Sequence, residues 1–117
     1  MRVVGLTWLG TRTPRFEEMV EFAGQTLGLR PAFAEEAITV FELPDGALFE
    51  VFGEEHPGGG HPEGGVVAGF RVDDVQKAHA ELEAAGVEVS PLETGTRDAW
   101  AYFRAPDGNL YEIVGSR

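Results

Sequence analysis

Two glutamates, Glu50 and Glu112, lie inside a segment that the chain uses twice: PDGALFEVFG at residues 44–53 and PDGNLYEIVG at residues 106–115. A carboxylate among such apolar neighbours is costly unless a metal, a cation or a hydrogen-bond donor meets it, so this pair is where chemistry is to be sought. Strand alternation sets Leu48, Glu50 and Phe52 on one face, and Leu110, Glu112 and Val114 on the equivalent face of the second copy. Phe49, Val51, Tyr111 and Ile113 then point the other way, toward helices. In the strand expected at residues 66–72, Val67, Gly69 and Arg71 share the inward face, and the Arg71 guanidinium would keep a neighbouring carboxylate ionised without metal. Trp8, Phe52, Trp100 and Tyr102 supply aromatic area of the kind that walls a small-molecule pocket, although each has core or interface packing as its plainer reading. The expected ligand pocket is therefore Trp8, Glu50, Phe52, Arg71, Trp100, Tyr102 and Glu112. No residue is assigned a catalytic role, because the chain has no Ser-His-Asp arrangement, dinucleotide fingerprint or phosphate-cradling loop.

The elements that must position these residues repeat with them. Residues 3–11 read as a strand, and Thr13-Pro14 as the start of a helix whose apolar positions, Phe16, Met19, Val20, Ala23 and Leu27, recur at three- and four-residue steps until Gly28 ends it. Residues 37–43 and 47–52 read as strands joined by Pro44-Asp45-Gly46, with room for a short strand near residues 31–34. The second half repeats the order: a strand at 66–72, a helix capped by Asp73 or Asp74 and closed by Gly86, then strands at 87–89, 100–104 and 109–114, the last two joined by Pro106-Asp107-Gly108. Each half is βαβββ. Module 1 is expected at about 1–53, a glycine-rich linker at 54–65 and module 2 at about 66–117, the whole forming one domain because each half alone is too small for a stable core.

Composition narrows the partners. Nine Lys and Arg against twenty Asp and Glu give a net charge of −11, which repels phosphate backbones and anionic membrane surfaces. Neither nucleic acid nor membrane is expected as a partner. With 43% hydrophobic and 10% aromatic residues, the chain is expected to pack rather than remain disordered. Its start lacks the long apolar core of a signal peptide, and no cysteine is available for a disulfide, a thiol nucleophile or a thiolate metal site. A cytoplasmic location is the expectation.

Two βαβββ modules, the Leu27-Gly28 pair, the FRVDD at residues 70–74 and the APDGNLYEIVG ending at Gly115 together resemble the vicinal oxygen chelate superfamily of glyoxalases, extradiol dioxygenases and bleomycin-resistance proteins. The resemblance implies an α+β fold in which tandem modules form a curved, half-barrel sheet with helices outside, holding a small molecule and often a divalent metal. It also implies metal ligands at a His near the start of each module's first strand and a Glu in each last strand. Glu50 and Glu112 match the glutamates, whereas the histidine positions fall at Gly5 or Leu6 and at Val67. No metal cofactor is therefore expected, since metals held by side chains usually take three or more of them; the alternative is a divalent metal on Glu50 and Glu112, with His56 or His61 of the HPGGGHP linker as a third ligand. His79 reads as a solvated surface residue.

The expected function is that of a glyoxalase/bleomycin-resistance-like protein that binds a small molecule in a concave cleft, with a homodimer as its expected assembly because open sheets leave edges to protect. A metal-dependent lyase, isomerase or dioxygenase is the alternative, and a non-catalytic structural dimer the second alternative.

Overall fold

The computed structural model describes residues 1–57 and 65–117, so the second histidine of the HPGGGHP motif, His61, lies outside the described residues. Eight strands, in parallel and antiparallel pairs, and two helices among those residues make an α+β fold. None of these helices is long and apolar enough to cross a membrane. The chain divides into two compact units, Trp8–Val67 and Met1–Thr7 with Ala68–Arg117. They are called here the amino-terminal and carboxy-terminal units. Strand β1 (Val3–Thr13) contributes to both.

In the amino-terminal unit the strand order is β2 (Arg30–Glu35), β3 (Ile38–Glu42), β4 (Leu48–Gly53), β1. Ala23, Phe41 and Val51 form its buried core, with Phe16, Met19, Val20, Leu29 and Phe49 packed around them. The sequence pattern predicts one continuous helix from Thr13 to Gly28, but Thr13 ends β1 and α1 spans only Phe16–Glu21 before a π-helical turn, Phe22–Thr26. The Thr13 hydroxyl still accepts the Arg15 backbone N–H at 3.0 Å. In the widened turn the Leu27 N–H reaches back to the Phe22 carbonyl, so Ala23 is fully buried while Phe22 is 45% exposed. β2 is an exposed edge strand with a register shift between Pro31 and Phe33, a position at which a proline without an N–H is tolerated.

In the carboxy-terminal unit the order is β1, β5 (Gly65–Val72), β8 (Leu110–Ser116), β7 (Asp98–Arg104), β6 (Glu93–Thr94). Helix α2 (Val75–Ala84) is capped by Asp74, whose side chain accepts the Lys77 N–H at 2.9 Å. Its Val75 and Ala78 join Val72, Ala99, Ala101 and Ile113 in the core. The strand predicted at 87–89 reduces to an isolated bridge between Val89 and Phe103. Pro91 supplies no backbone donor there, and regular pairing resumes only at Glu93 and Thr94.

The two PDG turns are built alike. Gly46 and Gly108 have φ of 87° and 84°, a conformation that L side chains avoid, and their N–H groups donate to the Leu43 and Ala105 carbonyls at 2.9 Å in both copies. The Asp45 carboxylate accepts the Ala47 N–H and the Asp107 carboxylate the Asn109 N–H. Each turn therefore delivers the strand that follows, and with it Glu50 or Glu112, in a fixed register.

Candidate functional site

Register places the two glutamates equivalently. β1 and β4 run parallel with Gly10 opposite Glu50, and β5 and β8 run parallel with Gly69 opposite Glu112. On the third strand Val40 stands opposite Glu50 and Tyr102 opposite Glu112. Because Phe41, Phe49 and Val51 face the helix side in one unit, Glu50 takes the opposite face with its row neighbours. In the other unit Ala99, Ala101, Ile113 and Phe103 pack on the helix side, which leaves Trp100, Tyr102, Glu112 and Arg71 on the opposite face. This is the alternation read from the sequence. Glu112 is 5% exposed and Glu50 is half-buried.

The seven candidate pocket residues divide between the units. Trp8, Glu50 and Phe52 belong to the amino-terminal one, and Arg71, Trp100, Tyr102 and Glu112 to the carboxy-terminal one. Trp8 is buried with its indole lying across Gly10, so close that a Cβ on Gly10 would stand 2.1 Å from the ring. Trp100 lies over Gly95 in a looser version of the same contact, at 3.1 Å. Phe52 is fully buried: the Arg12 guanidinium sits 5.7 Å from its ring centroid and the His56 ring 5.4 Å from it. Arg71 pairs with Asp98 at 3.7 Å. Arg71 and Asp98 are exposed to a similar degree, whereas Glu112 lies deeper.

Arg12 is the residue that the sequence reading passed over. Its Nη1 donates to the carbonyls of Gly53, Glu54 and His56 at 3.1, 3.2 and 2.8 Å, fixing the chain as it leaves β4. A signal for it existed: Gly10-Thr11-Arg12 and Gly69-Phe70-Arg71 are the same G-x-R step, and register makes Arg12 the counterpart of Arg71, opposite Phe52 where Arg71 stands opposite Val114. His79 is also not the solvated residue expected. Its side chain is 15% exposed and engages both Glu83 and Ser90.

A divalent metal at the glutamates would need further donors beside them. β1 (VVGLTWLGTRT) and β5 (GVVAGFRV) contain no His, Cys, Asp or Glu, so neither neighbouring strand offers a ligand beside Glu50 or Glu112. Among the described residues no group of three or more His, Cys, Asp or Glu side chains could hold a metal ion. The described residues do not fit the three-ligand requirement of such a site.

A protein-family model, the Glyoxalase/Bleomycin resistance protein/Dioxygenase superfamily, matches residues 5–113. The chain belongs to this superfamily, in agreement with the resemblance carried by its repeated PDG segments. Three solved structures show the shared fold. The Mn(II)-bound glyoxalase from Novosphingobium aromaticivorans is 20% identical with a TM-score of 0.78, over 97% of this chain and 39% of that one. The 2,3-dioxygenase LapB from Pseudomonas sp. KL28 is 21% identical with a TM-score of 0.74, over 97% of this chain and 41% of that one. A glyoxalase/bleomycin resistance protein/dioxygenase superfamily member from Vibrio splendidus 12B01 is 20% identical with a TM-score of 0.69, over 97% of both chains. This chain thus spans about two fifths of the glyoxalase and the dioxygenase but nearly all of the Vibrio protein. No curated protein matches.

Proposed function

We propose that this protein is a glyoxalase/bleomycin-resistance-like binder of a small molecule, acting without the full metal site of its superfamily. The observation that carries the reading is the pairing of each glutamate with a glycine, Gly10 beside Glu50 and Gly69 beside Glu112, on strands that bear no metal-ligating side chain. A carboxylate on the sheet face away from the helices, beside Trp8 or beside Trp100 and Tyr102, suits a ligand that offers an N–H or O–H donor together with an aromatic or apolar body. Phe52, roofed by Arg12 and His56, serves in this reading as the base on which those side chains rest. The whole is one domain working as a homodimer in the cytoplasm, where a chain without cysteines needs no oxidising compartment.

A second reading draws on the Mn(II)-bound glyoxalase among the structures of like fold: a metal-dependent lyase, isomerase or dioxygenase using Glu50 and Glu112 with one further ligand. The two readings separate in a thermal-shift screen of chelator-treated protein against small aromatic amines, phenols and amides, followed by tryptophan fluorescence on the hits. Binding without added metal that is lost in Glu112→Gln supports the first reading. Hits that appear only after Mn(II) or Fe(II) is added support the second. Light scattering tests the assembly, and the 12.7 kDa monomer mass at micromolar concentration would end the homodimer proposal.

A further inference from the structure

We infer that His79 is a proton-dependent tie that positions the backbone of Tyr102 from the far side of the sheet. The inference rests on the reading of Tyr102 as a ligand-face residue only for its functional consequence. His79 Nδ1 is 2.8 Å from a Glu83 carboxylate oxygen, and Nε2 is 2.7 Å from the Ser90 carbonyl oxygen. A carbonyl oxygen and an ionised carboxylate can only accept, so both contacts are hydrogen bonds when both ring nitrogens carry hydrogen. That state is the imidazolium. A neutral ring has one N–H, and its other contact sets two lone pairs against each other.

The consequence passes through Ser90 to the opposite face of the sheet. The Ser90 N–H donates to the Tyr102 carbonyl at 2.8 Å, and the Tyr102 N–H donates to Ser90 Oγ at 2.8 Å. Tyr102 in turn stands opposite Glu112. Residues 87–91 also attach to β7 through the Val89–Phe103 bridge and the Arg104 N–H, which donates to the Glu88 carbonyl at 3.0 Å. The tie from α2 at Ser90 thus acts on the residue that brackets the Tyr102 backbone.

Of the charged or titratable groups on the elements packed about His79, Glu83 touches the ring. Helix α2 also carries Glu81, which is paired with the terminal ammonium. The segment that His79 reaches carries Glu88, and β8, on which α2 packs, carries Tyr111, whose hydroxyl donates to Asp107. Histidine side chains as a class change charge in the neutral range, so a series from about pH 5.5 to 8.5 is the perturbation that addresses a second ring N–H.

The test follows amide and imidazole resonances of isotope-labelled, ligand-free protein across that range, for the natural chain and for His79→Gln, whose side-chain amide donates to Ser90 without titrating. The Ser90 and Tyr102 amides are expected to shift along the same curve as the His79 ring, and to lose that shift in His79→Gln. Amides that stay fixed while the His79 ring titrates, or that move equally in His79→Gln, would overturn the inference. Because no ligand is present, failure of the small-molecule reading leaves this result untouched, and the reverse also holds.

Discussion

The two units carry the same G-x-R step and use its arginine differently. In the amino-terminal unit Arg12 is turned onto the chain itself, donating to three carbonyls and covering Phe52. In the carboxy-terminal unit Arg71 reaches Asp98 at 3.7 Å, with both side chains about two fifths exposed. The difference traces to the partner across the strand pair. Phe52 offers Arg12 a ring to lie on, and the backbone leaving β4 offers carbonyls, whereas Val114 offers Arg71 neither. A repeated residue thus fixes a connection in one copy and remains near the surface in the other. The helices differ in the same direction: α2 has a side-chain cap and buries Val75 and Ala78, while α1 has no such cap and passes into a π-helical turn.

Substitutions can break this contrast in order of size. Gly10→Ala should be the most damaging, since its Cβ would meet the buried Trp8 indole at 2.1 Å; a loss of about 3 kcal/mol is expected from such overpacking. Gly5→Ala, with nothing within 4 Å of its Cβ, serves as the control in the same urea titrations. Arg12→Ala should follow at about 2 kcal/mol, because charged hydrogen bonds to part-buried carbonyls are lost, while Arg71→Ala should stay within about 1 kcal/mol, as exposed ion pairs do. Equal losses for the two arginines would abolish the distinction drawn between the units. Asp74→Ala should cost about 1 kcal/mol through the α2 cap, read as a lower unfolding midpoint.

The smallest effect concerns the second PDG turn. The Tyr111 hydroxyl donates to Asp107 at 2.7 Å, which raises the Tyr111 pKa. Asp107 is lowered, first by the Asn109 backbone N–H and then by Tyr111. A raised tyrosine contributes stability below the unfolded value of about 10 and loses it as pH climbs through the folded value. A lowered aspartate contributes above about 3.9 and loses it as pH falls through its folded value. Tyr111→Phe should therefore differ from the natural chain by a constant amount near neutrality, and the difference should shrink toward strong alkali and toward acid. A pH-independent difference would show that the hydroxyl bond contributes nothing.

Much of this was legible in the chain because it was written twice. The PDG turns, the alternation that sets Glu50 and Glu112 on the faces away from the helices, and the βαβββ order all follow from periodicity and turn chemistry that the two copies confirm for one another. What stayed hidden depends on contacts distant in sequence. The roof of Arg12 and His56 over Phe52 joins strands β1 and β4 to the connector that follows, and no local pattern encodes it. The π-helical turn was hidden for a different reason, since Phe16, Met19, Val20, Ala23 and Leu27 satisfy helical spacing and only the packing of Ala23 against Phe41 and Val51 distinguishes the wider turn. The tie at His79 was missed because a histidine in mid-helix carries no mark of what lies against its outer edge.

The central claim is that Glu50 and Glu112, each beside a strand that bears no imidazole, receive a ligand and not a resident metal. Elemental analysis of protein stripped with chelator, reloaded with Mn(II), Fe(II) or Zn(II) and dialysed tests it most directly. The account predicts well under one equivalent of any metal, unchanged in Glu50→Gln and Glu112→Gln. One equivalent that survives dialysis in the natural chain and disappears in either variant would contradict it.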